Sequence, residues 1–213
     1  MKKSIILALA VLVLSTLACQ VSTSGSGSNA LFSDDFSRSG SGWDSYTADD
    51  GSVVTDYDND AYRIFVDKED WMAWANPGKS FDGDVVITVD STKIGGVDDN
   101  DIGVICRYVD ADNFYLLKFS SDGYAQVAKY SNGEYVGISS EQMEPVDGVN
   151  AGETLNKVRA ECVGEQLNLY VNDNLVASGT DADFASGDVG LYAGTFGTAG
   201  TDVSFDNFEV NKP

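Results

Sequence analysis

Along most of the chain apolar and polar residues alternate with a period of two, the mark of half-buried β-strands. In DVVITVDST, Val85, Ile87 and Val89 fall on one face and Val86, Thr88 and Asp90 on the other. DIGVICRYV sets Ile102, Val104, Cys106 and Tyr108 against Gly103, Ile105, Arg107 and Val109. NKVRAECV places Val158, Ala160 and Cys162 on its apolar side, as QLNLYV does with Leu167, Leu169 and Val171. FYLLKF is apolar on both faces, with Tyr115, Leu117 and Phe119 on one and Phe114 and Leu116 on the other. Such a strand suits the middle of a sheet that is covered on one side and lines a groove on the other. Turn chemistry punctuates these runs at Asp50-Gly51, Asp82-Gly83, Asp122-Gly123, Asn132-Gly133, Val163-Gly164-Glu165 and Asn172-Asp173-Asn174. Asn-Gly and Asp-Gly supply the positive φ angles that tight hairpins need. The pattern predicts about a dozen hairpin-linked strands in one all-β domain over residues 30–213, an antiparallel two-sheet jelly-roll sandwich.

The first 29 residues follow another pattern. Lys2 and Lys3 precede an uncharged apolar run from Ile5 to Leu14, and Ser15-Thr16-Leu17-Ala18 leads into Cys19. A basic start, an apolar stretch of about 7–15 residues and a small residue before the cut describe a secretory signal. The run is shorter than the roughly 20 residues of a membrane-spanning helix. With its cysteine the stretch resembles the lipobox of bacterial lipoproteins, although Thr16 stands where leucine is commoner. The resemblance makes residues 1–18 a leader and Cys19 the lipid-bearing residue. Gln20 to Asn29, QVSTSGSGSN, is a Ser/Gly-rich tether, so residues 19–29 form the anchor and its spacer. The expected location is the outer face of the cell membrane or an outer membrane. In an envelope with two membranes, Gln20, rather than aspartate, after Cys19 argues against inner-membrane retention.

Charge narrows the functions. The formal net charge is −21, and loss of the leader with Lys2 and Lys3 makes it two units more negative. Nucleic acid is excluded as a partner, because it requires basic surface. The chain has no histidine, which removes His-based metal sites and Ser-His-Asp or Cys-His nucleophile systems. With Cys19 assigned to lipid, Cys106 and Cys162 remain. Outside the cytoplasm such a pair is a disulfide candidate between neighbouring strands, two buried thiols being the alternative.

Four segments together carry a family likeness: LFSDDFSRSGSGW, GVICRYVDADNFYLLKFSSDGYAQVAKYSNGEY, LNKVRAECVGEQLNLYVNDNLVASGTDADFASGDVGLYAG and VSFDNFEV. Their order resembles the concanavalin A-like lectin/glucanase jelly rolls, near the laminin G-like branch and bacterial 3-keto-disaccharide hydrolase-like domains, from Leu31 to Val210. The resemblance implies two curved sheets with a saccharide on the concave face. Carbohydrate modules of this kind often hold a structural calcium between their terminal strands, and Asp34, Asp35 and Asp206 (or Asn207) would suit it. Oxygen ligands are what this chain offers a metal.

A glycosidase needs two carboxylates across a sugar cleft. Family 16 enzymes of this fold carry Glu-x-Asp-x-x-Glu on one strand, a spacing absent here. The nearest pair, Glu141 and Glu144, lies in the turn-like SSEQMEPVDG, so no catalytic residue is assigned. Asp56 to Asp60 begins like an EF-hand loop, but Ala61 replaces the turn glycine and Ala61–Val66 reads as a strand. The acidic clusters at Asp98–Asp101 and Asp110–Asn113 read as solvated hairpin ends. Sugar recognition uses aromatic platforms beside polar groups, and the chain holds 10 Tyr, 10 Phe and 3 Trp. Trp43 reads as core. Trp71 and Trp74, three apart, face opposite sides of a strand, so one is presented to solvent. With Arg107 and Tyr115 they are the ligand candidates. The expected function is a lipid-anchored, non-catalytic carbohydrate-binding module. The alternatives are a 3-keto-disaccharide hydrolase or other glycoside hydrolase, and a structural or adhesive module that binds protein.

Overall fold

The structure is a computed structural model, and it describes residues 29–213. Cys19 and the leader lie outside the described residues, as does the tether up to residue 28. In chain order the strands are β1 (Ala30–Asp34), β2 (Tyr46–Thr47), β3 (Val53–Asp58), β4 (Ala61–Val66), β5 (Met72–Ala75), β6 (Val85–Gly95), β7 (Asn100–Asp110) and β8 (Asn113–Phe119). They continue as β9 (Tyr124–Ser131), β10 (Glu134–Gly137), β11 (Glu144–Pro145), β12 (Leu155–Val163), β13 (Gln166–Val171), β14 (Asn174–Thr180), β15 (Asp188–Thr195) and β16 (Thr201–Asn211). The first sheet runs β14-β13-β12-β6-β16-β4-β3-β2, with β1 paired to β16. The second runs β10-β9-β8-β7-β15-β5, with β11 paired to β9. Every pairing is antiparallel, and the described residues contain no helix. This is the expected two-sheet jelly roll.

The turns behave as their chemistry dictates. Asn59-Asp60, Asn132-Gly133 and Asn172-Asp173 each place two consecutive residues at positive φ. That backbone suits two-residue hairpins because its twist matches that of the flanking strands. The core lies between the sheets. Val85, Ile87 and Val89 of β6 and Val158, Ala160 and Cys162 of β12 face Val104 and Cys106 of β7, Leu117 of β8 and Leu191 of β15. Trp43 is buried, packs its ring on Phe36 and Phe208, and donates its indole N–H to Asp34 at 3.0 Å.

Cys106 and Cys162 form a disulfide. It joins β7 of one sheet to β12 of the other, so it spans the core rather than linking neighbouring strands of one sheet. Immediately after Cys106 the alternation of β7 breaks. Arg107 has φ +52°, and the register with both β8 and β15 shifts there. A bulge of this kind re-aims the side chains that follow it. Arg107 turns inward and Tyr108 emerges on the opposite face from the one its spacing predicted.

Candidate functional site

The outward face of the second sheet carries an apolar cluster of its own. Ile105, Phe114, Leu116 and Tyr192 are buried there, with Met72, Trp74, Tyr108 and Tyr130 packed against them. The contacts show the shape of this face. Trp74 on β5 lies 5.7 Å from Phe114 on β8, although β15 and β7 run between them. The Tyr130 hydroxyl on β9 reaches Met72 Sδ on β5 at 3.2 Å, across three strands. Neighbouring strands sit about 4.8 Å apart, so side chains meet over such spans only if the sheet curls toward this side. The face is concave, and its middle is filled by its own rings. Phe114 stacks on Tyr130 at 4.9 Å, and Tyr130 meets Tyr135 edge-on at 5.4 Å.

Where this aromatic row ends, a cleft of about 560 Å³ opens. Lys118, Gln126 and Tyr135 line its base, Phe196 one wall, Glu141–Met143 another, and Asp99, Asp122 and Tyr124 its rim. Tyr135 is 40% exposed, so its ring is available to a ligand. Lys118 Nζ donates to Asp101 Oδ2 at 2.8 Å, and both side chains are buried. The same ammonium lies 5.1 Å from the Tyr135 ring and 5.6 Å from the Phe196 ring, within cation–π range. Gly103, paired with Lys118, makes this close layering feasible, since a Cβ there would stand 2.5 Å from the Leu117 carbonyl oxygen.

Burial pushes the Asp101 carboxyl above the usual carboxylate range, and the Lys118 ammonium pulls it back in part. Its Oδ1 has no donor in hydrogen-bonding geometry, although the Tyr192 hydroxyl is close by. Gln126 is buried and serves two partners. The Tyr135 hydroxyl donates to its Oε1 at 2.5 Å, and its Nε2 donates to the Ser140 carbonyl at 2.9 Å. The glutamine therefore fixes both the aromatic base and the loop that walls the cleft. Flat ring faces with amide and carboxylate groups beside them can stack on the C–H face of a pyranose and bond its hydroxyls.

The four predicted ligand residues divide. Trp74 belongs to the concave aromatic row. Trp71, just before β5, is 51% exposed under the Lys68 ammonium at 5.3 Å. Together the two tryptophans line a separate groove of about 350 Å³ at the edge of the sandwich, with Tyr46 and Asp44. Arg107 and Tyr115 are buried and line neither of these two grooves. The bulge sends the Arg107 guanidinium to the carbonyls of Gly164 (2.8 Å), Phe184 and Cys162, and to Asp84. Tyr115 faces the core; its hydroxyl donates to Asp181 at 2.6 Å and accepts from the Phe184 amide. β8 follows the predicted alternation, and its groove side carries Phe114 and Leu116.

Of the residues expected to hold calcium, Asp34, Asp35 and the alternative Asn207 line one cleft between β1 and β16, together with Arg38 and Glu209. Asp34 accepts from the Phe36 amide, the Ser41 hydroxyl and the Trp43 indole. Asp35 caps Ser37, and Asp206 accepts from the Asn207 amide. Among the described residues no three acidic or thiol side chains gather into a group that could hold a metal. One of the supposed solvated hairpin ends also proves structural, for Asn100 and Asp101 are buried. The signal for the missed site was Lys118, the lone charge in FYLLKF. A charge in a two-sided apolar strand needs a buried partner.

No protein-family model matches the sequence, and no curated protein matches it. Solved structures do match the fold. The carbohydrate-binding module CBM66 from Bacillus subtilis is 21% identical with a TM-score of 0.58, the match covering 80% of this chain and 96% of that one. A Bacillus subtilis protein with a galectin-like fold is 9% identical at 0.61, with 86% and 96% covered. A β-glucanase from Bacillus licheniformis is 9% identical at 0.59, with 85% and 98% covered. The domain has the concanavalin A-like jelly-roll fold. At these identities the likeness extends to the fold alone.

Proposed function

We propose that this protein is a non-catalytic glycan-binding module, held outside the membrane by a lipid on Cys19. The observation that carries the reading is the cleft at the end of the concave face. It combines an exposed aromatic base at Tyr135 with fixed polar groups, and its volume falls within the roughly 300–1,000 Å³ of small-ligand sites. The similarity to a carbohydrate-binding module supports the same reading. Binding occurs by stacking and hydrogen bonding, with no bond broken.

A glycan array probed with the purified protein, with and without calcium, tests the proposal. Tyr135→Ala should weaken the best ligand by about tenfold, the worth of one good stacking contact. It also leaves the buried Gln126 Oε1 without its donor, at about 1–3 kcal/mol of stability, so affinity is measured well below the new unfolding midpoint. Absence of binding to every glycan would sink it in favour of a protein-binding module. The carboxylates around the cleft keep a hydrolase as the second reading, so 3-keto-disaccharides and plain oligosaccharides belong in a parallel turnover assay. Turnover abolished by Glu141→Gln would replace binding with catalysis. For the anchor, the Cys19→Ser variant should move the protein from the membrane fraction to the soluble fraction of its producing cells.

A further inference from the structure

The ionisable groups around the cleft are unbalanced in sign. Asp99 comes from the β6–β7 loop, Asp122 from the β8–β9 hairpin and Glu141 from the loop after β10, so three separate segments bring carboxylates to one opening. All three residues are exposed, and among the described residues no lysine or arginine pairs with any of them. The single cation in the lining is Lys118. It is buried, and its charge is spent on Asp101. Lys93, on the neighbouring β6, is tied in the same way to Asp98 and to the Gly96 carbonyl.

A ligand entering this cleft therefore meets carboxylates and aromatic faces, and no free cation. Both features attract positive charge, the first by Coulomb attraction and the second through the ring quadrupole. A saccharide bearing carboxylate or sulfate would have to give up its hydration and find only like charge. Resting on the glycan-binding reading above, we infer that the cleft takes a cationic saccharide, a glycan with free amino groups, and rejects acidic ones.

The test uses a matched pair of probes, chitosan hexaose and its fully N-acetylated counterpart, with an oligogalacturonate as the acidic arm. Calorimetric titration is run in mildly acidic buffer, where the sugar amines are protonated. The free-amine oligomer should bind about tenfold or more tightly than the N-acetylated one, and added salt should shrink the difference. The oligogalacturonate should not bind. Glu141→Gln and Asp99→Asn should each narrow the gap about threefold, and the double variant should narrow it further. Equal affinity for the matched pair, a gap insensitive to both substitutions, or binding of the acidic oligomer would overturn the inference. If the protein binds neutral glycans alone, the inference falls while the glycan-binding reading stands. If it binds no glycan of any charge, both fall.

Discussion

The two faces of the second sheet are both apolar, yet they are made of different side chains. The inner face presents Val104, Cys106, Leu117, Val127, Leu191 and Ala193 to the first sheet, and a disulfide crosses the gap. The outer face presents Phe114, Tyr108, Tyr130, Tyr192 and Trp74, with Gly103 and Gly190 as the floor between them. The inner face is mainly aliphatic, with Tyr115 and Phe119 as its rings; aliphatic groups fill space without directional demands and the Tyr115 hydroxyl is satisfied by Asp181, so this face closes completely. A tyrosine buries its ring and still needs a partner for its hydroxyl, which suits a surface covered on one side and wet on the other. Similar apolarity thus serves folding on one face and recognition on the other.

The comparison predicts that changes to the inner face alter stability and spare binding. The largest expected effect comes from replacing both Cys106 and Cys162 by serine. The bridge closes a loop with a sequence separation of 56 residues, and on a chain-entropy account its loss costs about 4 kcal/mol. Denaturant unfolding would measure the cost. Glycan binding below the new midpoint should be unchanged, and a parallel loss of affinity would show that the two faces are not separable.

The Lys118–Asp101 pair sharpens the contrast from the outer side. Lys118→Met alone leaves a buried carboxylate without its counter-charge and should cost about 3 kcal/mol. The double variant Lys118→Met with Asp101→Leu should recover most of that loss in the same unfolding assay. If the single variant were as stable as the parent, the pair would be a solvated contact and the account of the cleft base would fail.

The smallest effect concerns Asp181, which accepts from Tyr115 and from Lys129 at the end of the inner face. Burial alone would raise this carboxyl, but Lys129, Tyr115 and the Asp183 amide together hold it below 3.8. The folded state therefore takes up the proton less readily than the unfolded chain. The resulting stability is present above that value and is lost as pH falls through the lowered one. Asp181→Asn should cost about 2 kcal/mol at neutral pH, the worth of a charged hydrogen bond. The difference from the parent should fade in strong acid. A cost that did not change with pH would mean that the carboxylate charge contributes nothing.

Much of the fold was legible because alternation reports which face of a strand is apolar. The core positions of β6, β8, β12 and β13 all follow it. It failed at Arg107, where a bulge adds residues without leaving a mark in the hydrophobic pattern, and so Tyr108 was assigned to the wrong face. Tyr115 lies on the core side rather than the groove side for a related reason. Period-two patterning says that two faces differ, but for β8, apolar on both, it cannot say which one meets the other sheet. Asp101 and Lys118, 17 residues apart, became a pair only when β7 and β8 were brought side by side.

The sequence by itself determined the all-β class, the hairpins and the acidic, histidine-free chemistry, because these depend on local spacing and composition. It also placed both domain cysteines on the core side of their strands. The tertiary structure alone decided that their bridge spans two sheets, that the second sheet curls over its own rings, and that three distant segments surround one cleft with carboxylates. Those outcomes depend on which strands become neighbours and how far the sheet bends, and long-range pairing, rather than local pattern, sets both.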